Sequence, residues 1–173
     1  MPLYFAYGSN LSSARMALPG RAPLASPVGT AALAGYTLRW CKRGADGSGK
    51  CTLVKTGSPA DGVWGVVWEV AAEDVARLDV VEGPGYERLE LQVTTANQRL
   101  DVFTYVARSS HVDPSLEPAE WYRALVLAGA REHGLPAAWI AFLESAARTA
   151  RSTASESNAP PPPRAPWYRD ATP

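Results

Sequence analysis

The order of its segments constrains the fold of this 173-residue chain more than any other feature. Short apolar runs bounded by glycine, proline or polar turns fill most of the first 107 residues and predict strands over 3–7, 30–40, 51–56, 63–70, 86–95 and 100–107. Helical patterns occur over 12–18, 71–81, 118–133 and 136–150, so the two longest predicted helices follow the last predicted strand. Antiparallel-looking strands with helices gathered at one side or end predict an α+β domain.

The length and composition predict one globular domain over residues 1–150, with an apolar fraction of 46%. After Arg151 the sequence RSTASESNAPPPPRAP is rich in serine and proline. We therefore predict that residues 151–173 form a tail that is disordered or in polyproline II conformation.

The charge balance excludes several classes of partner. Lys+Arg and Asp+Glu both number 17, so the whole chain offers no electrostatic case for binding nucleic acid or an anionic membrane.

No apolar run approaches the roughly 18 residues of a spanning helix, and the first residues lack the basic region of a signal peptide. Two cysteines without a pairing pattern fit a reducing, cytoplasmic location. Two histidines and no cysteine cluster predict no metal, and no motif asks for a cofactor.

The first candidate site is Tyr7-Gly8-Ser9-Asn10, at the end of the first predicted strand. A glycine there permits a tight turn that leaves successive backbone N–H groups pointing the same way. Such a turn before a helix N-terminus can bind a carboxylate. Taken alone, so short a motif favours the alternative, an ordinary strand–turn–helix junction.

The second candidate is Glu82, where the helix over 71–81 gives way to Gly83-Pro84-Gly85. A carboxylate at such a junction can be partly buried and suited to moving a proton. The alternative is a solvated carboxylate near a helix end. Glu87 and Glu90 compete for the role, but they belong to the next predicted strand and are expected to face solvent.

Four segments taken together resemble the γ-glutamyl cyclotransferases and their relatives, the AIG2-like family. They occur in the family's order, and the similarity covers about residues 3–148. They are Tyr4-Phe5-Ala6-Tyr7-Gly8-Ser9-Asn10-Leu11, Val63-Trp64-Gly65-Val66-Val67-Trp68, Leu78-Asp79 with Glu82-Gly83, and Gly129-Ala130-Arg131-Glu132-His133-Gly134-Leu135-Pro136.

The resemblance implies a small mixed β-barrel with flanking helices, acting as an enzyme that converts a γ-glutamyl amide to 5-oxoproline and a free amine. It implies that the backbone of Tyr7, Gly8, Ser9 and Asn10 holds the γ-glutamyl group and that Glu82 is the acid/base. Tyr105 and Tyr122 are candidate pocket hydroxyls, with buried structural tyrosines as the alternative. The expected partner is a small-molecule γ-glutamyl substrate, and the expected assembly is a monomer or homodimer.

The substrate's leaving amine stays open at this point. The glutathione-specific branch typically reads Y-G-S-L and the branch acting on γ-glutamylamines Y-G-T-L, so Asn10 disfavours both and favours γ-glutamyl amino acids. Lys50-Cys51-Thr52-Leu53-Val54 departs from the Gly-Gly-Val/Ile-Ala-Thr-like strand of the animal enzymes. One alternative is a γ-glutamylated biosynthetic intermediate or isopeptide as substrate. The other is a non-enzymatic interaction module that uses Pro160 to Pro163 as a proline-rich ligand.

Overall fold

A computed structural model describes residues 1–145, and five of its strands close into a barrel in the order β1-β5-β2-β6-β7. The strands are β1 (Leu3–Ala6), β2 (Ser26–Ala34), β3 (Tyr36–Arg43), β4 (Gly49–Lys55), β5 (Gly62–Glu69), β6 (Tyr86–Thr94) and β7 (Arg99–Ala107). The helices are α1 (Ser13–Met16), α2 (Ala72–Glu82), α3 (Glu120–Glu132) and α4 (Ala137–Ser145), with 3₁₀ turns at Ser9–Leu11 and Ser109–His111. The predicted α+β barrel is confirmed.

Four of the five barrel pairings are antiparallel, and the barrel closes where β1 meets β7 in parallel, with Tyr4 opposite Phe103. The pairing of β1 with β5 depends on Gly65. A Cβ at this position would lie 2.3 Å from the carbonyl oxygen of Ala6, so any side chain there would push the two strands apart. Closure matters for the site because it brings the end of β1 beside β7 and α2.

The strand predicted over 30–40 is wrong as a single element. The chain turns at Gly35, which adopts a φ of +76°, and the segment divides between β2 and β3. A left-handed φ favours glycine because it has no Cβ to clash with the backbone. Strand β3 then pairs with β4 as a separate two-stranded sheet, which brings Lys42 and Lys50 opposite each other.

The core is continuous from the barrel interior to the C-terminal helices. Phe5, Leu11, Trp68 and Trp139 are almost fully buried within it. Helix α3 packs on the 3₁₀ turn at Gly129, where a Cβ would lie 2.5 Å from the Cβ of Leu11. Because Gly129 has no side chain, the backbone of α3 packs directly against the 3₁₀ turn and supports the loop after β1.

Two glycines end helices as predicted. Gly83 follows α2 with a φ of +69°, and Gly134 follows α3 with a φ of +63°. Helix α2 extends to Glu82, one residue beyond its predicted end, so this carboxylate lies on the last turn. The end of the helix predicted over 136–150 and the tail over 151–173 lie outside the described residues. Within residues 1–145, no helix has the length and apolar character needed to cross a membrane.

Candidate active site

The loop after β1 forms a 3₁₀ turn whose first N–H groups are open. Leu11 N–H donates to the carbonyl of Gly8 at 3.0 Å, and Ser12 N–H to the carbonyl of Ser9 at 3.2 Å. No group in residues 1–145 accepts a hydrogen bond from the backbone N–H of Ser9 or Asn10. These two donors are therefore available to a bound carboxylate or oxyanion.

Gly8 is required by space and not by a left-handed backbone. Its φ is −115°, which lies outside the left-handed region. A Cβ at Gly8 would lie 3.1 Å from both the Cβ of Cys51 and the hydroxyl oxygen of Tyr122. Glycine is therefore needed here because β4 and α3 approach the loop closely.

Asn10 links the loop to the candidate acid/base. Its side-chain amide donates to Glu82 Oε1 and to the Tyr4 hydroxyl, both at 3.0 Å. Its Oδ1 accepts from Arg21 Nη1 at 2.6 Å. Because Asn10 is only 4% exposed and both amide N–H groups and the oxygen have partners, its orientation is fixed.

Glu82 is held through one oxygen and open at the other. Its Oε1 accepts from Asn10 and lies 3.5 Å from Arg21 Nη1. No described residue donates to Oε2. The side chain is 17% exposed, so the carboxylate is partly desolvated yet reachable from outside. Such a group can take up a proton and return it without leaving its place.

Most tyrosine hydroxyls of the site are committed to other protein groups. Tyr105 donates to Asp79 Oδ1 at 2.7 Å, Tyr86 donates to the carbonyl of Cys51 at 2.8 Å, and Tyr7 donates to the carbonyl of Tyr105. The hydroxyl of Tyr122 accepts from the Cys51 N–H at 3.1 Å. These contacts make the four rings walls of fixed position.

Tyr4 differs from Tyr7, Tyr86 and Tyr105, whose hydroxyls each donate to another protein group. Its hydroxyl accepts from Asn10, and no described group accepts its proton. Burial, followed by the negative charge of Glu82, raises the pKa of Tyr4 well above its usual value. The hydroxyl therefore stays protonated and can donate a hydrogen bond to a ligand.

Cys51 lines the site without being an activated nucleophile. The thiol is buried, and burial raises its pKa to about 12. A thiol with such a pKa is protonated at neutral pH and a poor nucleophile.

These residues surround two connected spaces. The inner pocket is narrow, about 30 Å³, and the structure brings all seven predicted site residues into its wall: Tyr7, Gly8, Ser9, Asn10, Glu82, Tyr105 and Tyr122. Three further residues line the pocket that were not among the predicted site residues: Tyr4, Cys51 and Tyr86. The outer groove, about 520 Å³, shares Ser9, Glu82, Tyr86 and Tyr122 with the pocket and is lined by Arg15, Arg21, Lys42, Arg43 and Lys50. Glu82 thus stands at the boundary between the two.

The chain is similar to known proteins over most of its length. A model of the AIG2-like family matches residues 62–143. The γ-glutamylcyclotransferase of Bos taurus is 33% identical over 140 residues, covering 78% of this chain and 72% of the bovine one. The human protein of the same name is 32% identical over 145 residues with the same coverage.

The chain belongs to the γ-glutamylcyclotransferase family. A solved structure of a γ-glutamyl cyclotransferase superposes with a TM-score of 0.75 at 31% identity, over 83% of this chain and 86% of the other. The superposed 83% of the chain includes both the barrel and helices, so the similarity extends well beyond any single motif.

Proposed function

We propose that this chain is a γ-glutamyl cyclotransferase that converts a γ-glutamyl amino acid, or a related γ-glutamyl amide, to 5-oxoproline and a free amine. The observation that carries the proposal is the placement of Glu82 beside the open loop: one oxygen is anchored by Asn10 while Oε2 has no described partner. The family relationship supports the same conclusion.

Binding of the γ-glutamyl group uses the loop. The free N–H groups of Ser9 and Asn10 supply charge-assisted hydrogen bonds to the substrate's α-carboxylate or to the oxygen of its γ-carbonyl. The protonated Tyr4 hydroxyl offers a further donor close to Asn10. The narrow inner pocket positions the glutamyl end, and the amide to be cut lies at the boundary marked by Glu82.

The reaction needs a proton carrier and no side-chain nucleophile. The substrate's α-ammonium loses a proton to Glu82 Oε2, and the resulting amine attacks the γ-carbon to form a five-membered ring. When the tetrahedral intermediate collapses, the C–N bond to the leaving amine breaks and Glu82 returns the proton to that nitrogen. The ring nitrogen then gives up its second proton, through the same carboxylate, to the departing amine, which leaves as an ammonium ion. Holding the tethered amine in place can contribute roughly 7–11 kcal/mol, and proton transfer typically about 10²–10⁴-fold in rate.

The remaining polar groups of the inner pocket fit this chemistry. Burial keeps the Cys51 thiol protonated, and no histidine lines the inner pocket to activate Ser9. Arg21 contacts both Asn10 and Glu82 and so helps to fix the position of the carboxylate.

An interaction module built on the same barrel would not need this arrangement. Glu82, Asn10 and Arg21 come from separate segments and meet at a concave site, which a binding role for the proline-rich tail leaves unexplained. The tail, a cytoplasmic location and a monomeric or homodimeric state remain predictions from the sequence.

The test is a panel of γ-glutamyl compounds assayed for 5-oxoproline. The panel contains γ-glutamyl amino acids, glutathione and a γ-glutamylamine. We expect 5-oxoproline from γ-glutamyl amino acids with a higher kcat/KM than from glutathione. Release of glutamate instead of 5-oxoproline would show hydrolysis, and no product from any compound would refute the activity.

A further inference from the structure

We propose that the outer groove selects substrates whose leaving amine carries two carboxylates, so that γ-glutamyl derivatives of acidic amino acids are preferred over neutral ones. This inference rests on the proposed cyclotransferase function and assigns its substrate class. The ligand chemistry is an acidic α-amino acid, with γ-glutamylglutamate as the simplest example.

The groove has a local charge that the whole chain lacks. Five cationic side chains line it, Arg15, Arg21, Lys42, Arg43 and Lys50, against the single carboxylate of Glu82. The full sequence carries 17 acidic and 17 basic residues, so this excess is a property of the site. Cations that converge in a concave site attract anionic ligands and disfavour cationic ones.

Three of the five cations already have polar partners. Arg43 is paired with Asp113 at 2.7 Å and Lys50 with Asp46 at 2.9 Å. Arg21 is engaged with Asn10 and Glu82 at the inner end of the groove. These three cations add to the positive electrostatic potential of the groove, but their existing partners make them less able to bind the carboxylates of a substrate.

The other two, Arg15 and Lys42, have no carboxylate partner among residues 1–145. The Nε of Arg15 is buried, and no hydrogen-bond acceptor is found for it within the described part of the chain. The Lys42 ammonium lies 4.6 Å from the centre of the Tyr86 ring. It also packs over Gly85, where a Cβ would lie 3.1 Å from its Nζ. Both cations therefore line the groove beside Glu82 without a carboxylate partner in the described part of the chain.

The environment of both cations favours an incoming anion. Burial lowers the pKa of Arg15 and of Lys42, and the positive charge of Arg21 adds to the effect at Arg15. A half-buried cation has lost part of its hydration, so a carboxylate placed beside it is bound more strongly than at a fully exposed lysine. Two such cations match the α-carboxylate and the side-chain carboxylate of one acidic leaving group.

The experiment compares γ-glutamylglutamate with γ-glutamylglutamine, which differ only in carboxylate against amide at the end of the leaving group. We expect kcat/KM to be at least about tenfold higher for γ-glutamylglutamate, equivalent to about 1.4 kcal/mol. The preference should shrink when the NaCl concentration rises, because salt screens the added attraction. A ratio near one at low salt would overturn the inference.

Lys42→Met tests the assignment to the groove. This variant should reduce the ratio of the two kcat/KM values by about fivefold or more, whereas the matched control Lys55→Met, an exposed lysine on β4 that does not line the groove, should keep it. An unchanged ratio in Lys42→Met would contradict the proposed role. If this variant does not fold, the substrate ratio of the parent and its salt dependence decide. Absence of 5-oxoproline from both substrates would refute the cyclotransferase function itself, whereas equal turnover of both would refute only the selectivity.

Discussion

The inner pocket and the outer groove differ in how many of their polar side chains have partners within the protein. In the pocket, Asn10 and the rings of Tyr7, Tyr86 and Tyr105 have internal partners for their polar groups. In the groove, Arg15 and Lys42 have no carboxylate partner within residues 1–145. Side chains that bond to one another hold the walls of the pocket rigidly, whereas cations without a carboxylate partner can bind part of a ligand. We infer that the pocket performs the chemistry common to all γ-glutamyl substrates and that the groove chooses among leaving groups.

The largest effect is expected from Glu82→Gln, which keeps the shape of the side chain but removes its ability to carry a proton. Turnover should fall at least about 100-fold, the lower end for an acid/base group. The affinity for 5-oxoproline should change much less, because the loop holds the product. Steady-state assays and calorimetric titration measure the two quantities.

Glu87→Gln is the matched control for this substitution. Glu87 lies on β6 near Arg108, and its side chain is 43% exposed. We expect this variant to retain the activity of the parent. If Glu87→Gln lost activity while Glu82→Gln kept it, the catalytic role would belong to the strand.

A smaller but still large effect is expected from Asn10→Leu. The change removes the donor to Glu82 Oε1 and the acceptor for Arg21, so the carboxylate loses its fixed position. As a positioning residue, Asn10 should affect kcat about tenfold or more, with a smaller change in KM. Asn97→Leu, at an exposed turn, should alter neither constant. A change in KM alone would mean that Asn10 binds substrate without orienting Glu82.

Gly8→Val should weaken binding at the inner pocket. The new Cβ would press on Cys51 and on the Tyr122 hydroxyl at 3.1 Å, and displacement of the loop would move the N–H groups of Ser9 and Asn10. We expect the Kd for 5-oxoproline to rise about fivefold or more. Gly20→Val is the control, since nothing lies within 4 Å of a Cβ at that position. Unchanged product affinity in Gly8→Val would separate the loop from the binding site.

The smallest effect is expected from removal of the tail. The Ser/Pro-rich composition after Arg151 lacks the apolar content to join a core. Deletion of the residues after Arg151 should leave both kcat/KM and Tm nearly unchanged. A fall in Tm of several degrees would show that Trp167 or Tyr168 packs on the domain.

Features that depend on local chemistry could be predicted from the sequence. The hairpin of β6 and β7, the end of α2 at Gly83 and the turn after β1 follow from short patterns of glycine and alternating apolar residues. The position of Glu82 at a helix end was predicted for the same reason. The break at Gly35 was missed, because a single glycine within an apolar, alanine-rich run can also lie inside a strand.

Features that depend on closure of the barrel could not be predicted. Glu82 contacts Asn10 although the two lie 72 residues apart, and no spacing in the sequence indicates that contact. Tyr4 and Arg21 contact Asn10 from nearby in the chain, but they carry no motif that predicts it. The cations of the outer groove come from α1, from the segment before β2 and from β3 and β4, so a neutral composition conceals them. The amide of Asn10 was the available signal: a buried amide requires partners, which proved to include the catalytic candidate.

The central claim is that the substrate's own α-amine attacks the γ-carbonyl, with Glu82 carrying the proton. The most direct test uses glutarylalanine, in which hydrogen replaces the α-amine of γ-glutamylalanine. Competitive inhibition of γ-glutamylalanine turnover by this analogue establishes that it occupies the site. We predict that the bound analogue releases no alanine, because the only nucleophile has been removed. Release of alanine from glutarylalanine at a rate near that of γ-glutamylalanine would show that water or a side chain attacks the carbonyl, and would contradict the account.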